Sequence, residues 1–357
     1  MPPLFGKRAR SVSVARRRSL PRRMTMSQLP DELLLHLLEF IRPRDLENFA
    51  QTCRHIHECS TKYLEKHRKL RARYSQVVLK WNEPKEGDHF YHFQHPIFLL
   101  EKIYHDPAIA HYIEMFEFIG VDIVTKQKRK DQTIEGKIQK SLRNCHDARD
   151  ALLAFQPFYG KLDFVDQQLA LLSTGDRSAG FLLLLQCLPF LERLRINDFF
   201  YWEHSEVKGF HEILGSLPNL HTVEVYSSSD AGDVQMMDLV SFAFCPNIRS
   251  IRGYQIYGLE AGKLSDGISN KGSGDISHSN VESIEITKGS LALLGDLRDR
   301  FVHLRTFRYS FNTDAHQPSQ CYLHHVFDIV QDLCKGFGKQ LENLSFCLLY
   351  TSPSPRD

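Results

Sequence analysis

The stretch Cys53-Arg54-His55-Ile56-His57-Glu58-Cys59 has the residue types of a zinc site. Zinc is held by four thiolate, imidazole or carboxylate ligands converging tetrahedrally on one point. On a helix, side chains four apart share a face. Cys53 then pairs with His57 and His55 with Cys59, on two different faces, so four ligands do not converge and Cys53 reads as a core residue. His89, His92 and His95, and Cys321 with His324 and His325, lack a second ligand cluster. Gly336-Phe337-Gly338-Lys339 falls short of the phosphate-binding Gly-x4-Gly-Lys-Ser/Thr spacing. There is no Gly-x-Ser-x-Gly elbow and no recognisable pair of carboxylates. The expectation is a chain that is not an enzyme and uses no metal and no cofactor.

The informative elements are helical. Residues 29–70 open with Leu29-Pro30-Asp31-Glu32, where Pro30 suits the first helical position and the carboxylates suit the positive end of a helix. Over Asp31 to Ile41, the residues Leu33, Leu34, Leu35, Leu37, Leu38, Phe40 and Ile41 cover an arc of about 220°, against about 100° for a surface helix covering one core. Only Glu32, His36 and Glu39 form a polar stripe. Such a helix must bury two faces: one against its own domain, the other against a partner. Pro43 stops it, Asp45 can cap a second helix with Leu46, Phe49, Ala50, Cys53 and Ile56 at helical spacing, and a third runs through Tyr63, Leu64 and Leu70.

Three short helices with Leu29, Pro30, Glu32, Leu33, Leu37, Leu38, Ile41, Asp45, Leu46, Cys53 and Arg54 in this order resemble the F-box family. His55 departs from the family, which often has an aromatic residue near the Cys-Arg pair. The resemblance covers residues 27–70, about an eighth of the chain. It implies docking to the Skp adaptor of a cullin–RING ubiquitin ligase, with Leu29, Pro30, Leu33, Leu37 and Leu46 as the adaptor-binding anchors.

Downstream, an L-x-x-L-x-L pattern recurs at Leu191/Leu194/Ile196, Leu220/Val223/Val225, Ile248/Ile251, Val281/Ile284/Ile286, Leu304/Phe307/Tyr309 and Leu341/Leu344/Phe346, with an earlier one at Ile113/Phe116/Phe118. From Leu191 the first positions differ by 29, 28, 33, 23 and 37 residues. That irregular period resembles the leucine-rich repeat, one short strand plus a helix per unit. Pro189-Phe190-Leu191, Pro218-Asn219-Leu220 and Pro246-Asn247-Ile248 precede three strands, with Ser279-Asn280-Val281 before a fourth. Val207, Phe210, Ile213, Leu214 and Leu217 form one amphipathic face between strands; Leu291, Leu294, Leu297 and Phe301 form another. The family's strict asparagine ladder is missing. The Gly/Ser-rich residues 258–280 read as a mobile loop.

If the apolar positions point inward, the residues between them face a partner. Tyr and Arg are frequent binding hot spots, so Arg195, Tyr226, Arg252, Tyr254 and Arg308 are the target-binding candidates. The mixed Arg and Glu lining hints at a charged or phosphorylated target.

The chain of 357 residues has a net charge of +2, which gives no general signal for nucleic acid or membrane. Residues 1–26 are Arg-, Ser- and Pro-rich and read as a disordered basic tail, one that suits nuclear import or a mitochondrial transit peptide. Eight scattered cysteines fit a reducing cytoplasmic or nuclear setting. The stretch 347–357 looks like the translation of a transposase adapter used in sequencing libraries, a non-native scar that truncates the protein after Phe346. The whole reads as an α/β repeat protein: a three-helix F-box at 27–70, then an irregular leucine-rich-repeat-like solenoid at 71–346. Its expected role is substrate-recruiting subunit of an SCF-type ligase, with the Skp adaptor, the cullin scaffold and an unknown protein target as partners. The alternative is a non-catalytic repeat scaffold whose first helices merely cap the solenoid.

Overall fold

A computed structural model describes residues 26–80, 91–93, 95–119, 170–171, 177–197, 213–226, 242–243, 245–256, 278–289, 301–312, 331, 335 and 340–349. The expected tail before Met26, most of the loop 258–280, the helix faces at Val207–Phe210 and Leu291–Leu297, His89, and the Cys321 and Gly336 motifs lie outside the described residues. Two compact units part at His67/Arg68.

The first unit is built from α1 (Asp31–Phe40), α2 (Pro43–Ala50) and α3 (Arg54–Tyr74), the last running on past the boundary. Pro30 is the cap rather than the first helical residue of α1, so Asp31 and Glu32 fill the first turn, where carboxylates favour the exposed backbone N–H groups. Pro43 does not simply stop α1. It opens α2 at a position where its missing N–H costs nothing, and Asp45 sits inside the first turn instead of capping it. The apolar periodicity through Cys53 and Ile56 is interrupted: Thr52 Oγ1 donates to the Phe49 carbonyl at 2.7 Å, and α3 starts afresh at Arg54. Leu38, Leu46, Ala50 and Leu64 form one core cluster, with Ile41, Phe49 and Tyr63 around them, and Leu34 and Ile56 are buried as well.

Among the described residues the second unit holds a nine-stranded sheet in the order β2-β1-β3-β4-β5-β6-β7-β8-β9, every pair parallel. The strands are β1 (Gln76–Lys80), β2 (Tyr91–Phe93), β3 (Met115–Ile119), β4 (Arg193–Asn197), β5 (Thr222–Tyr226), β6 (Ser250–Ile256), β7 (Ser283–Gly289), β8 (Thr306–Asn312) and β9 (Asn343–Leu349). The seven L-x-x-L-x-L segments correspond to β3 through β9, each beside the next in sequence. β1 and β2 carry no such pattern and extend the sheet beyond β3. Parallel neighbours require a crossover on one face. α4 (Pro96–His105) and α5 (Arg177–Gln186) lie before β3 and β4, and Phe181 of α5 stacks on Phe116 of β3 at 5.8 Å. Leu191, Leu194, Leu220, Val223, Val225, Ile248, Val281 and Ile286 are all buried on the covered face.

Asparagines do bridge successive turns, ahead of the strand rather than after it. Asn219 Nδ2 donates to the Pro189 carbonyl at 2.7 Å, Asn247 Nδ2 to Gly215 and Leu217 at 3.1 and 3.0 Å, and Asn280 Nδ2 to Pro246 at 2.9 Å. The accepting carbonyls lie in or next to the turns that follow the preceding helical segments. These asparagines stand at a different position from the family's strict ladder, which the sequence lacks. Within the loop 258–280, the last three residues are described, and Ser279 is buried with its hydroxyl donating to the Ala243 carbonyl at 2.6 Å. Cys347 to Leu349 of the expected scar continue β9 in register with Ser310 to Asn312; residues 350–357 lie outside the described residues.

Candidate functional site

Two surfaces carry the candidate residues. On α1, Leu34 and Leu38 turn into the module, whereas Leu33, Leu37 and Phe40 are 51%, 37% and 72% exposed. With Pro30, which is also exposed, they are spaced i, i+3, i+7, i+10, so they lie along one side of the helix. Met26 and Leu35 are exposed as well, and Leu29 is half-buried. The edge of the His36 ring meets Phe40 at 5.0 Å. The helix is therefore apolar on two sides and covered on one. Leu46 must be corrected: at 5% exposure it belongs to the module's core and offers no surface. A single α2 position could not be assigned inward or outward before the break after Ala50 was known.

The second surface is the open face of the sheet. Residues paired in register across it are Glu117 of β3, Arg195 of β4, Glu224 of β5, Arg252 of β6, Glu285 of β7 and Arg308 of β8. Acid and base alternate across six strands. Adjacent parallel strands lie about 4.8 Å apart, within side-chain reach of each other. Arg195 Nε and Nη2 both lie 2.8 Å from Glu224 Oε2, and Arg252 Nη1 lies 3.1 Å from Glu224 Oε1. Arg195 Nη1 reaches Glu117 at 3.6 Å, Arg252 Nε reaches Glu285 at 3.3 Å, and Asn197 donates to Glu117 at 2.7 Å. Arg193 joins Glu224 from the neighbouring row at 3.7 Å.

Glu224 is fully buried beneath these cations. Tyr226 donates its hydroxyl to Glu224 at 3.2 Å, its ring lies under the Arg195 guanidinium at 5.2 Å, and Tyr254 packs beside it at 6.0 Å. Burial and the Glu224 charge push the Tyr226 phenol up. Burial opposes the charge on Arg195, but hydrogen bonding to Glu224 and the charges of Glu224 and Glu117 outweigh it and raise its pKa.

The structure thus brings Arg195, Tyr226, Arg252 and Tyr254 together, as the alternation predicts, but turns the polar ends of the first three onto Glu224. Arg308 stands apart. It is exposed at the end of the row and has no side-chain partner among the described residues. The charges of Arg195 and Arg252 are thus directed at Glu117, Glu224 and Glu285 within the row. Glu224 was legible as a face residue; its centrality was not, because register between strands is absent from any single strand.

Residues 26–71 match the F-box-like family model, the span of the three-helix module. F-box domains typically bind Skp-type adaptors. No curated protein matches the chain significantly. Among the described residues no helix is long and apolar enough to cross a membrane.

Proposed function

We propose that this chain is the substrate-recruiting subunit of an SCF-type cullin–RING ubiquitin ligase. The observation that carries the reading is the uncovered Leu33, Leu37 and Phe40 stripe within a module that matches the F-box-like model. An apolar helix face laid into a partner's groove is a recurrent recognition mode, and here the partner is the Skp adaptor, which joins the chain to the cullin scaffold. The strands from β3 onward, one per repeat and bridged by Asn219, Asn247 and Asn280, support an irregular leucine-rich-repeat-like solenoid. Its open face recruits the target through Arg308 and the half-exposed rings of Tyr226 and Tyr254.

In this reading the chain breaks and makes no bond. Tethering raises the effective concentration of a target lysine beside the ubiquitin-conjugating enzyme. Its setting is the cytoplasm or nucleus, where Cys53, Cys59, Cys187, Cys245 and Cys347 stay out of disulfides.

Immobilised full-length chain is challenged with purified Skp adaptor. Stoichiometric capture is expected, with at least a hundredfold loss in the Leu33→Asp/Leu37→Asp variant, because two charges then have to be desolvated at the contact. No capture by the unmodified chain discards the ligase reading in favour of a plain repeat scaffold.

A further inference from the structure

α1 and α3 bring together three metal-ligating groups that lie 24 and 28 residues apart in sequence. His55 and Cys59 are one turn apart on α3, and Asp31 reaches them from the first position of α1. The carboxylate oxygen, imidazole nitrogen and thiol sulfur all lie within 4.8 Å of one another. His55 Nε2 is 3.3 Å from Asp31 Oδ1 and 3.4 Å from the Leu29 carbonyl oxygen. A tetrahedral zinc site with metal–ligand bonds of about 2.0–2.3 Å has ligand–ligand edges of roughly 3.3–3.7 Å. The Asp31–His55 separation already has that value. The widest separation needs about 1 Å of closure, within the range of a rotamer change in half-exposed side chains.

The donor set names the metal. A thiolate with an imidazole is too soft for magnesium or calcium, which take oxygen ligands, and suits zinc among the available divalent ions. The Asp31 carboxylate and the Cys59 thiolate together supply two negative charges against the two positive charges of the ion. Cys53, which directly precedes α3, and His57, on α3, make up the other half of the sequence motif and are not part of this cluster.

We infer that Asp31, His55 and Cys59 form a three-ligand zinc site that fastens the start of α1 to α3 and leaves a fourth position open to water. Binding releases the Cys59 thiol proton to solvent. The inference does not rest on the ligase reading, since it needs only the geometry within the helical module.

Cobalt(II) is the probe, added to reduced full-length chain, with zinc affinity then measured by competition against a fluorescent chelator. One equivalent of cobalt should give a thiolate-to-cobalt charge-transfer band and the intense visible bands of tetrahedral coordination. Cys59→Ser should abolish the charge-transfer band, and His55→Gln and Asp31→Asn should each weaken zinc at least tenfold. Cys53→Ser and His57→Gln should leave both readouts unchanged. Absence of the band in the unmodified chain, its survival in Cys59→Ser, or its loss in Cys53→Ser would each overturn the assignment. Circular dichroism of the metal-free variants, unchanged from that of the parent, ties any loss to the ligands rather than to unfolding.

Discussion

Glu224→Gln tests whether the acid–base row holds the sheet together. The carboxylate accepts from Arg195 at 2.8 Å, Arg252 at 3.1 Å and Tyr226 at 3.2 Å, at full burial. Glutamine keeps one acceptor oxygen and turns an NH2 group toward a second guanidinium, donor against donor. Removing one partner of a buried ion pair costs about 3–5 kcal/mol, an upper bound here. The Arg195 and Arg252 side chains are 30% and 43% exposed and retain Glu117 and Glu285. Water and those carboxylates reduce the loss to about 2–3 kcal/mol, near the value of one charge-assisted hydrogen bond. Because the chain has two compact units, a single denaturation curve would mix transitions. Local opening is better read by hydrogen exchange of β4, β5 and β6 peptides in the full-length chain. At about 1.4 kcal/mol per factor of ten, protection there should fall about 30- to 150-fold. Glu285→Gln, at a half-exposed member of the row, should cost under about 1 kcal/mol and lose its effect near 1 M salt, where screening acts over about 3 Å. Less than a threefold change for Glu224→Gln would refute the row as a structural device and return Arg195 and Arg252 to the list of target contacts.

Leu46→Ala removes a side chain from the small helical core and should cost about 2–4 kcal/mol, seen as loss of helical signal and of exchange protection in α1 and α2. Asn247→Ala removes the side-chain donor to the Gly215 and Leu217 carbonyls, of which Leu217 keeps the Leu220 N–H at 3.3 Å, a loss of about 1–2 kcal/mol that should appear as faster exchange on either side of β5. Cys245 is buried, and burial pushes its thiol from 9.0 up to about 12. The folded state thus holds the proton more tightly than the unfolded chain does. Its stabilising contribution is complete below about pH 9 and lost as pH rises toward 12. Iodoacetamide at pH 8 should accordingly leave Cys245 unmodified until denaturant is added, as read by peptide mass spectrometry.

What the sequence discloses here divides by range. The period-2 alternation in Arg193–Asn197, Thr222–Tyr226 and Ser283–Gly289 is local, and it places Arg195, Glu224 and Glu285 on one face correctly. Their pairing depends on which residue of the next strand lies opposite, and that is set by crossovers of unequal length. The same limit hides Asp31 from His55 and Cys59, since the third ligand sits on another helix. Strand β1 carries no period-2 signal because Val77, Val78 and Leu79 are all buried, so its pattern is a run rather than an alternation. Helix boundaries failed where one residue type has two uses: Pro43 reads as a stop and serves as a start.

The two-sidedness of α1 is a matter of composition, and no packing arrangement removes it. Rotating the helix by about 100°, one residue's worth, would bury Leu33 and Leu37 and expose Leu34 and Leu38 instead. Either way one apolar side stays uncovered, at a forfeit of about 1.5–3 kcal/mol for each fully exposed Leu or Phe. In a module whose buried apolar side chains are Leu34, Leu38, Leu46, Ala50, Ile56 and Leu64, that forfeit is large. Adjacent leucines should therefore respond oppositely to charge. Leu34→Asp places an unpaired carboxylate at a fully buried position and should unfold the three helices. Leu33→Asp, one residue away and half in solvent, should leave the far-ultraviolet spectrum and the exchange protection of α1 and α2 unchanged while raising solubility. If both variants lowered that protection equally, Leu33 would be part of a core and the case for a covering partner would fail. If only Leu34→Asp did, the outer stripe contributes nothing to the isolated chain's stability and is available to bind.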